Sequence, residues 1–275
     1  MNIRLIALDM DGTTLRNDHH VSAHTLSILK KVIQHGITVV PASGRMADIL
    51  PPELLTLEGI RYIIASNGAN IIDLSAQKVI YSDHLPAPTL QAVFEVLRPF
   101  HLYSELYSCN KIYVEKRFFN AFLESRHSYP PAFLDHIFEV EDLYSYALEH
   151  DLPVEKVNLP FLDPSLVLPL GNAIRALKGI TLTTSGFDNL EINASDVSKA
   201  HALAALARHL SIPRESIMAI GDNYNDIEMI RWAGLGVAVS NAIRSLKEAA
   251  DAVTASNEED GVAQAVEQFI FENKT

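Results

Sequence analysis

The sequence predicts an α/β protein in which a doubly wound parallel sheet carries an inserted α+β domain. Short apolar runs alternate with segments of helical spacing up to about residue 82, and the alternation resumes from Lys199. Between these segments, residues 83–186 hold most of the prolines and aromatic residues without a comparable alternation. Alternating strands and helices are typical of βαβ units in a parallel sheet. We therefore expect a core of residues 1–82 and 187–275, with residues 83–186 as the inserted domain.

The first core segment contains three short apolar runs that we interpret as buried strands. They are residues 4–8 (RLIAL), 37–41 (ITVVP) and 62–65 (YIIA). Leucine, valine and isoleucine recur at helical spacing between the first two runs, with Ser22 as the expected N-cap and Gly36 as the stop. A further helix should begin near Met46, and a small hairpin should follow the third strand.

The inserted segment has the pattern of an open α+β layer. Its expected strands are separated by two amphipathic helices, and several long polar stretches lie among them. The expected strands are residues 102–108, 111–114, 154–159 and 180–184, and the expected helices are residues 88–97 and 166–177.

The returning core segment repeats the order of helix and strand. Helices are expected at residues 199–210 and 225–232, and strands at 216–220 and 235–239. An amphipathic helix at residues 261–271 should close the core.

Composition excludes several classes of protein. The net charge of -12 and the pI near 5.3 argue against nucleic-acid binding, which requires a basic surface. The single cysteine, Cys109, excludes an intrachain disulfide and a cysteine metal cluster. No run approaches about 18 consecutive apolar residues, so we expect a cytoplasmic protein without a membrane partner. A monomer or a weak homodimer is expected.

Two carboxylates follow the first predicted strand. Asp9 and Asp11 stand two residues apart in an extended loop, and Gly12 permits the tight turn that follows. At this spacing both groups can approach one hard cation, or one can bind while the other attacks a substrate. The alternative is a polar turn in which an aspartate caps the next segment.

A second acidic cluster, GDNYND at residues 221–226, also follows an apolar strand. Ligands bind beyond the carboxyl ends of parallel strands, so the two clusters can converge on one cation. Oxygen ligands without thiolates favour Mg²⁺ over zinc. Alternatively, Asp222 and Asp226 cap the helix that begins there.

Basic and hydroxyl side chains complete the candidate site. Ser43, Gly44 and Arg45 follow the second strand, and Lys199 stands at a helix start. A hydroxyl, a backbone turn and two cations could cradle a phosphate group. Taken singly, Lys199 is better interpreted as a solvated surface lysine.

These residues together resemble a known family. The segments that carry the resemblance are DMDGTTL at residues 9–15, SGR at 43–45, Lys199 and GDNYND at 221–226. They are similar, in order, to the four motifs of the haloacid dehalogenase superfamily. Asn67, Gly68, the late insertion and GVAVSNA at residues 236–242 further resemble its Cof-type subfamily. The resemblance implies a Rossmann-like core with a type IIB cap.

The resemblance also implies roles in catalysis. Asp9 would be the nucleophile that forms an aspartyl phosphate, and Asp11 the general acid and base. Asp11 would also offer its backbone carbonyl to the metal. Ser43 would bind the phosphoryl group, and Lys199 would neutralise charge between it and the nucleophile.

The remaining motif residues are implied to bind metal and substrate. Asp222 would be the second main metal ligand, and Asp226 would orient metal-bound water. Asn225 would touch phosphate or metal, while Arg45 and Asn67 would help hold the substrate.

The expected function is therefore a magnesium-dependent phosphatase for small phosphorylated metabolites such as sugar phosphates, flavin mononucleotide or pyridoxal phosphate. Its specificity should lie in residues 83–186. A phosphosugar mutase and a catalytically idle metabolite-binding protein are the alternatives. Two departures from the family pattern are Ala200, where glycine is usual, and Ser43, where threonine is commoner.

Overall fold

The computed structural model describes residues 2–120, 123, 131–184 and 188–272. The chain divides into two compact units. The first unit combines Met1–Ser82 with Ser198–Thr275, and the second is Asp83–Val197.

The secondary structure of the described residues alternates between short strands and helices. The strands are β1 (Leu5–Leu8), β2 (Thr38–Pro41), β3 (Tyr62–Ala65), β4 (Asn70–Asp73), β5 (Lys78–Ser82), β6 (Glu105–Ser108), β7 (Lys111–Glu115), β8 (Ile137–Val140), β9 (Lys156–Leu159), β10 (Ile180–Thr183), β11 (Leu190–Ala194), β12 (Ile217–Gly221), β13 (Leu235–Ala238) and β14 (Ala252–Val253). The helices are Ala23–Gln34, Pro52–Leu55, Ala87–Leu97, Leu143–Glu149, Pro164–Arg175, Lys199–His209, Ile227–Trp232, Arg244–Ala249 and Gly261–Val266. None of the described helices has the length and apolar character needed to cross a membrane.

The first unit is built on a five-stranded parallel sheet. Its strand order is β14-β13-β12-β1-β2, and every adjacent pair is parallel. All four residues of β1 are fully buried, as expected of a central strand with helices on both faces. The α/β fold class predicted from the sequence is confirmed. The carboxyl ends of β1, β2 and β12 therefore meet at one edge of the sheet.

The third predicted strand does not extend this sheet as a full ladder. β3 pairs antiparallel with β4, which pairs with β5, and a single bridge from Ala42 to Ile64 joins it to the chain after β2. The Ala42 amide donates to the Leu8 carbonyl in β1. The nitrogens of Pro41 and Ser43 therefore face β3, and the Ser43 amide donates to the Ile64 carbonyl there. Pro41 has no amide proton, so it cannot donate a hydrogen bond towards β3.

The second unit is built on a six-stranded sheet of order β10-β11-β9-β6-β7-β8. Its neighbouring strands are antiparallel except β7 and β8, which are parallel. The helices Leu143–Glu149 and Pro164–Arg175 contact β7 and β10 respectively. Leu106, Val157 and Ile192 are fully buried side chains of this sheet. An open α+β layer was predicted for this segment, and these elements form one.

The predicted end of the inserted domain, at residue 186, lies too early in the chain, because the second unit extends to Val197. The boundary between residues 186 and 187 lies outside the described residues. Residues 188–197 are described, and they belong to the second unit because β11 pairs with both β9 and β10. β11 was not predicted from the sequence, and neither were β8 and the helix Leu143–Glu149.

Candidate active site

The candidate site lies at the carboxyl edge of the parallel sheet in the first unit. Asp9 directly follows β1, and Asp222 directly follows β12. The Asp9 amide donates to the Ile220 carbonyl at 3.0 Å, which continues the β1–β12 ladder to the end of both strands. Strand pairing thus fixes the two acidic segments side by side.

Lys199 is held at the first position of the helix Lys199–His209. Ser198 caps that helix by accepting a hydrogen bond from the His201 amide. The turn after β3, which contains Gly68, packs against the backbone of Ser198. A Cβ on Gly68 would collide with the Ser198 carbonyl. Lys199 is fully buried although it carries an ammonium group. Such burial requires charge partners.

Two carboxylates compensate the buried Lys199. Its Nζ donates to Asp9 Oδ1 at 2.5 Å and to Asp226 Oδ1 at 2.7 Å. Burial alone would lower the Lys199 pKa, but the Asp226 and Asp9 carboxylates outweigh it and raise that pKa. The two acids therefore favour the charged form of Lys199, which contacts both of them.

Asp226 has both carboxylate oxygens engaged by the protein. Oδ1 accepts from Lys199, and Oδ2 accepts from the amides of Asp222 and Asn223, each at 3.1 Å. Asn223 caps the short turn Tyr224–Asp226 in return. Asp226 thereby joins the β12 loop to the Lys199 helix.

Asp222 is the more accessible acid of the second cluster. Its Oδ1 accepts a hydrogen bond from Thr13 Oγ1 at 3.0 Å. Burial, followed by repulsion from Asp226, raises the pKa of Asp222 to about 6. Thr13 was not among the predicted site residues, because its contact with Asp222 depends on how the loop after β1 folds.

The three carboxylates form a site suited to a cation. Asp9, Asp222 and Asp226 each offer one oxygen, and these oxygens lie within 4.8 Å of one another. Burial and then repulsion from Asp226 raise the pKa of Asp9 well above its ordinary range, with Lys199 only partly opposing them. Asp9 Oδ2 is buried without a hydrogen-bond partner among the described residues. A divalent cation would supply both the missing charge and the missing partner.

Asp11 lies outside this group of three. Its side chain is half exposed and accepts from Arg45 Nε at 2.7 Å and from Arg45 Nη2. Arg45 Nη2 also approaches His19 Nδ1 at 3.4 Å. The structure therefore places Asp11 with Arg45, and His19 is a neighbour that the sequence analysis did not identify.

The segment after β2 and the turn after β3 meet near the β12 loop. Ser43 Oγ accepts from the Arg45 amide at 3.0 Å, and the Asn67 amide donates to the Ser43 carbonyl. Asn225 Nδ2 donates to Asn67 Oδ1 at 3.2 Å. A Cβ on Gly44 would stand 2.9 Å from the same Asn67 oxygen. All five predicted phosphate-binding or substrate-binding residues are thus linked by contacts in one unit.

Asn241 is a further contributor to the site that was not predicted from the sequence. Its Nδ2 donates to the Gly12 carbonyl at 2.7 Å, and its Oδ1 accepts from the Asn257 amide at 3.0 Å. It fixes the loop that carries Asp11. A signal was present in the sequence, since Asn241 belongs to the GVAVSNA segment, which begins within β13 and continues into the next loop.

Comparison with known proteins gives consistent matches over nearly the whole chain. A family model described as haloacid dehalogenase-like hydrolase matches residues 6–266. A 5-amino-6-(5-phospho-D-ribitylamino)uracil phosphatase of Bacillus subtilis is 29% identical over 98% of this chain and 97% of its own length. A pyridoxal phosphate phosphatase of Escherichia coli is 26% identical over 97% of this chain and 98% of its own. A solved subclass IIB sugar phosphatase superposes with a TM-score of 0.81 at 25% identity, covering 97% of this chain and 98% of that one.

Proposed function

The chain belongs to the haloacid dehalogenase-like hydrolases, and from this premise we propose that it is a magnesium-dependent phosphatase acting through an aspartyl phosphate on Asp9. The proposal is carried by one observation. Asp9 is buried at a strand end, accepts a hydrogen bond from the ammonium group of Lys199 and is adjacent to Asp222 and Asp226. One oxygen of this carboxylate is bonded to Lys199, and the other has no hydrogen-bond partner among the described residues. A buried carboxylate with one such oxygen is suited to attack phosphorus.

Mg²⁺ fits the donor set, which consists of carboxylate oxygens. Asp9 and Asp222 would hold the ion together with the backbone carbonyl of Asp11. When bound, magnesium supplies positive charge against the phosphoryl oxygens. Asp226 contributes by orientation, since its oxygens hold Lys199 and the Asp222 loop.

In the first step the Asp9 carboxylate attacks phosphorus, and the bond from phosphorus to the leaving oxygen breaks. Asp11, as the proposed general acid, delivers a proton to that oxygen, so the product leaves as an alcohol. Lys199 and the hydroxyl of Ser43 stabilise charge on the transferring group.

In the second step Asp11 takes a proton from water, and the water oxygen attacks phosphorus. The bond between phosphorus and Asp9 breaks, which regenerates the carboxylate and releases inorganic phosphate. The two steps sum to hydrolysis of a phosphate monoester.

The substrate class follows from the relatives. Their substrates are a ribitylamino-uracil phosphate, pyridoxal phosphate and, in the subclass IIB structure, a sugar phosphate. We propose the same class of small phosphorylated metabolites for this chain, with flavin mononucleotide as a further candidate.

The decisive experiment is phosphate release from a panel of phosphorylated metabolites, with Mg²⁺ or with EDTA. Turnover should require Mg²⁺ and be lost in Asp9→Asn, which keeps the shape of the side chain but removes the nucleophilic charge. Asp151→Asn, the same change at an exposed position of the second unit, should retain turnover.

Activity that survives in Asp9→Asn would contradict the mechanism. Tight binding of a phosphorylated metabolite without phosphate release would favour the metabolite-binding alternative. Conversion of a sugar phosphate to its isomer with little free phosphate would favour a mutase.

A further inference from the structure

The loop after β1 folds into a compact turn of residues 10–15. The Met10 carbonyl accepts hydrogen bonds from the amides of Thr14 and Leu15, at 3.0 and 2.8 Å. A backbone bridge also joins Asp11 to Leu15. Met10 and Leu15 are at most 1% exposed, so the closure of the turn is shielded from water. A displacement of Leu15 would therefore be transmitted to Asp11.

Asp11 depends on this turn for the position of its backbone. Its carboxylate is half exposed, and among the residues that the structure describes Arg45 alone donates hydrogen bonds to it. That contact holds the carboxylate and not the main chain. The main chain of Asp11 is placed by the groups that hold the turn.

Two asparagines from the end of the first unit hold the turn. Asn257 Nδ2 donates to the Leu15 carbonyl at 2.9 Å, and the Asn257 amide donates to Asn241 Oδ1 at 3.0 Å. Asn241 Nδ2 in turn donates to the Gly12 carbonyl. Asn257 is 7% exposed, so its hydrogen bond to Leu15 meets little competition from water. The turn is thus fixed at two of its carbonyl groups.

Two further contacts continue this hold along the chain. The Asn17 amide donates to Glu258 Oε1 at 2.7 Å, and Arg16 Nη2 donates to Asp260 Oδ1 at 3.0 Å. Residues 257–260, which we call the strap, therefore contact residues 15–17. The contacts of the strap combine a buried amide with two more accessible carboxylates.

The strap is itself fixed on the core. Ser256 Oγ donates to Glu259 Oε2 at 2.7 Å, and the Ser256 amide donates to the same oxygen at 3.3 Å. Gln264, on the helix Gly261–Val266, donates through Nε2 to the Glu259 carbonyl at 2.7 Å. This capping arrangement keeps the short strap in one conformation. The strap can therefore hold the turn instead of following it.

We propose that Asn257 is a positioning residue for the phosphatase reaction, because through the Leu15 carbonyl it sets the place of Asp11. The proposal rests on the proposed function and deepens it, since Asp11 is the general acid and base of that reaction. A displacement of about 1 Å at a reacting group can lower a rate by about a hundredfold. A hydrogen bond remote from phosphorus can thus control the rate.

The test compares kcat/KM for glucose 6-phosphate, an alkyl phosphate, with kcat/KM for p-nitrophenyl phosphate. Asn257→Leu removes the donor to Leu15 at similar side-chain volume. Because the alkyl leaving oxygen needs the proton from Asp11 more than the nitrophenyl oxygen does, the ratio of the two constants should fall by about tenfold or more. Equal losses on both esters would contradict the proposal.

Thr254→Val is the matched control. Thr254 Oγ1 donates to the Gly261 carbonyl at 2.8 Å, close to the strap but without a contact to the turn. Its replacement also removes one hydrogen bond to a main-chain carbonyl at similar volume. The ratio of the two constants should stay unchanged, and a fall equal to that in Asn257→Leu would overturn the proposal.

Glu258→Ala provides a second variant, because the side chain is exposed and its removal should preserve folding. It removes the contact with the Asn17 amide and should lower the same ratio by a smaller factor. An unchanged ratio in Glu258→Ala and in folded Asn257→Leu would overturn the role of the strap while leaving the phosphatase proposal intact.

Wild-type protein that hydrolyses neither ester would instead contradict the proposed function. Amide hydrogen exchange then tests the hold on the turn alone. The Leu15 amide should exchange about tenfold faster in Asn257→Leu than in the wild type, a larger factor than for the amides of β1. Equal acceleration of Leu15 and β1, or none at Leu15, would overturn the inference.

Discussion

Lys199 is the residue on which the charge balance of the candidate site depends. Its fully buried ammonium is bonded to Asp9 and Asp226. In Lys199→Met the two acids lose this cation, so the free energy of unfolding should fall by about 3–5 kcal/mol. Urea denaturation in EDTA measures the change. Adding Asp226→Asn to Lys199→Met should restore part of the loss, and an additive further loss would contradict the interpretation.

Arg45 holds the proposed general acid. Because its guanidinium donates two hydrogen bonds to Asp11, Arg45→Met should leave Asp11 poorly oriented. Proton donation matters most for alkyl phosphates, whose leaving oxygens are strongly basic, and least for p-nitrophenyl phosphate. We expect kcat for an alkyl phosphate to fall by about tenfold to a hundredfold, and by less for the nitrophenyl ester.

Arg244→Met provides the matched control for that comparison. Arg244 is paired with Glu248 on an exposed helix surface, and its replacement should alter neither rate. Equal losses on both esters in Arg45→Met would indicate that Arg45 binds the phosphate instead of positioning Asp11.

At the scale of the element, the loop after β1 depends on Gly12. Its φ is 78°, and a Cβ there would lie 2.6 Å from Asp222 Oδ2. Gly36, after the helix Ala23–Gln34, has a φ of 77° but nothing within 4 Å of an added Cβ. Gly36→Ala should therefore cost only the backbone penalty, about 1 kcal/mol of unfolding free energy.

Gly12→Ala should cost more than Gly36→Ala and should also abolish phosphate release, because the new methyl group must displace the Asp222 carboxylate. Urea unfolding and a phosphate assay of the two variants separate backbone strain from steric displacement. Equal stability and equal activity in the two variants would contradict this account.

The turn between β4 and β5 predicts a dependence of stability on pH. Hydrogen bonds from Arg61 lower the pKa of Asp73 and outweigh burial, which acts to raise it. Because the pKa is lower in the folded state, this stabilisation is complete above about pH 3.9, the ordinary aspartate value, and is lost as the pH falls further. Asp73→Asn should cost about 1–2 kcal/mol at pH 7.

The difference between wild type and Asp73→Asn should shrink below about pH 4, as measured by urea unfolding from pH 3 to pH 7. Asp151→Asn, at an exposed position, should show little difference at any pH. A constant difference for Asp73→Asn across this range would rule out the ionic contribution.

For the whole molecule, much of the architecture was predictable because buried parallel strands read as uninterrupted apolar runs. The runs that became β1 and β12 were placed within one residue of their observed ends. β11 (LEINA) was missed because its polar Glu191 and Asn193 face a buried polar layer, so the strand lacks the apolar run of a buried one. Long-range pairing with β9 overrides that local pattern.

The charged residues of the candidate site were predictable from their places at strand ends, whereas Asn67 and Asn225 were identified through the resemblance to a family. The convergence of the Asp9 and Asp222 segments follows from the shared edge of parallel strands. The pairing of Asp11 with Arg45 and the contributions of Thr13 and Asn241 depend on loop geometry, which spacing along the chain does not encode. The roles assigned to these residues stay predictions.

The division into two units predicts that residues 83–197 fold alone. Their sheet is hydrogen-bonded within the segment, and their length lies within the roughly 50–250 residues typical of a domain. The isolated segment should give dispersed amide NMR signals and a cooperative unfolding transition. A collapsed, poorly dispersed spectrum would contradict this expectation.

The second unit ends at Val197, and the next two residues are the helix cap Ser198 and the buried Lys199. For recombination between relatives, the two junctions are therefore unequal. A crossover near Ser82 trims only the end of an edge strand that is largely exposed. A crossover one residue past Val197 replaces the cap that starts the Lys199 helix. Chimaeras that exchange the inserted unit should thus tolerate several crossover positions near Ser82. At the other junction they should require a crossover that leaves Ser198 in place.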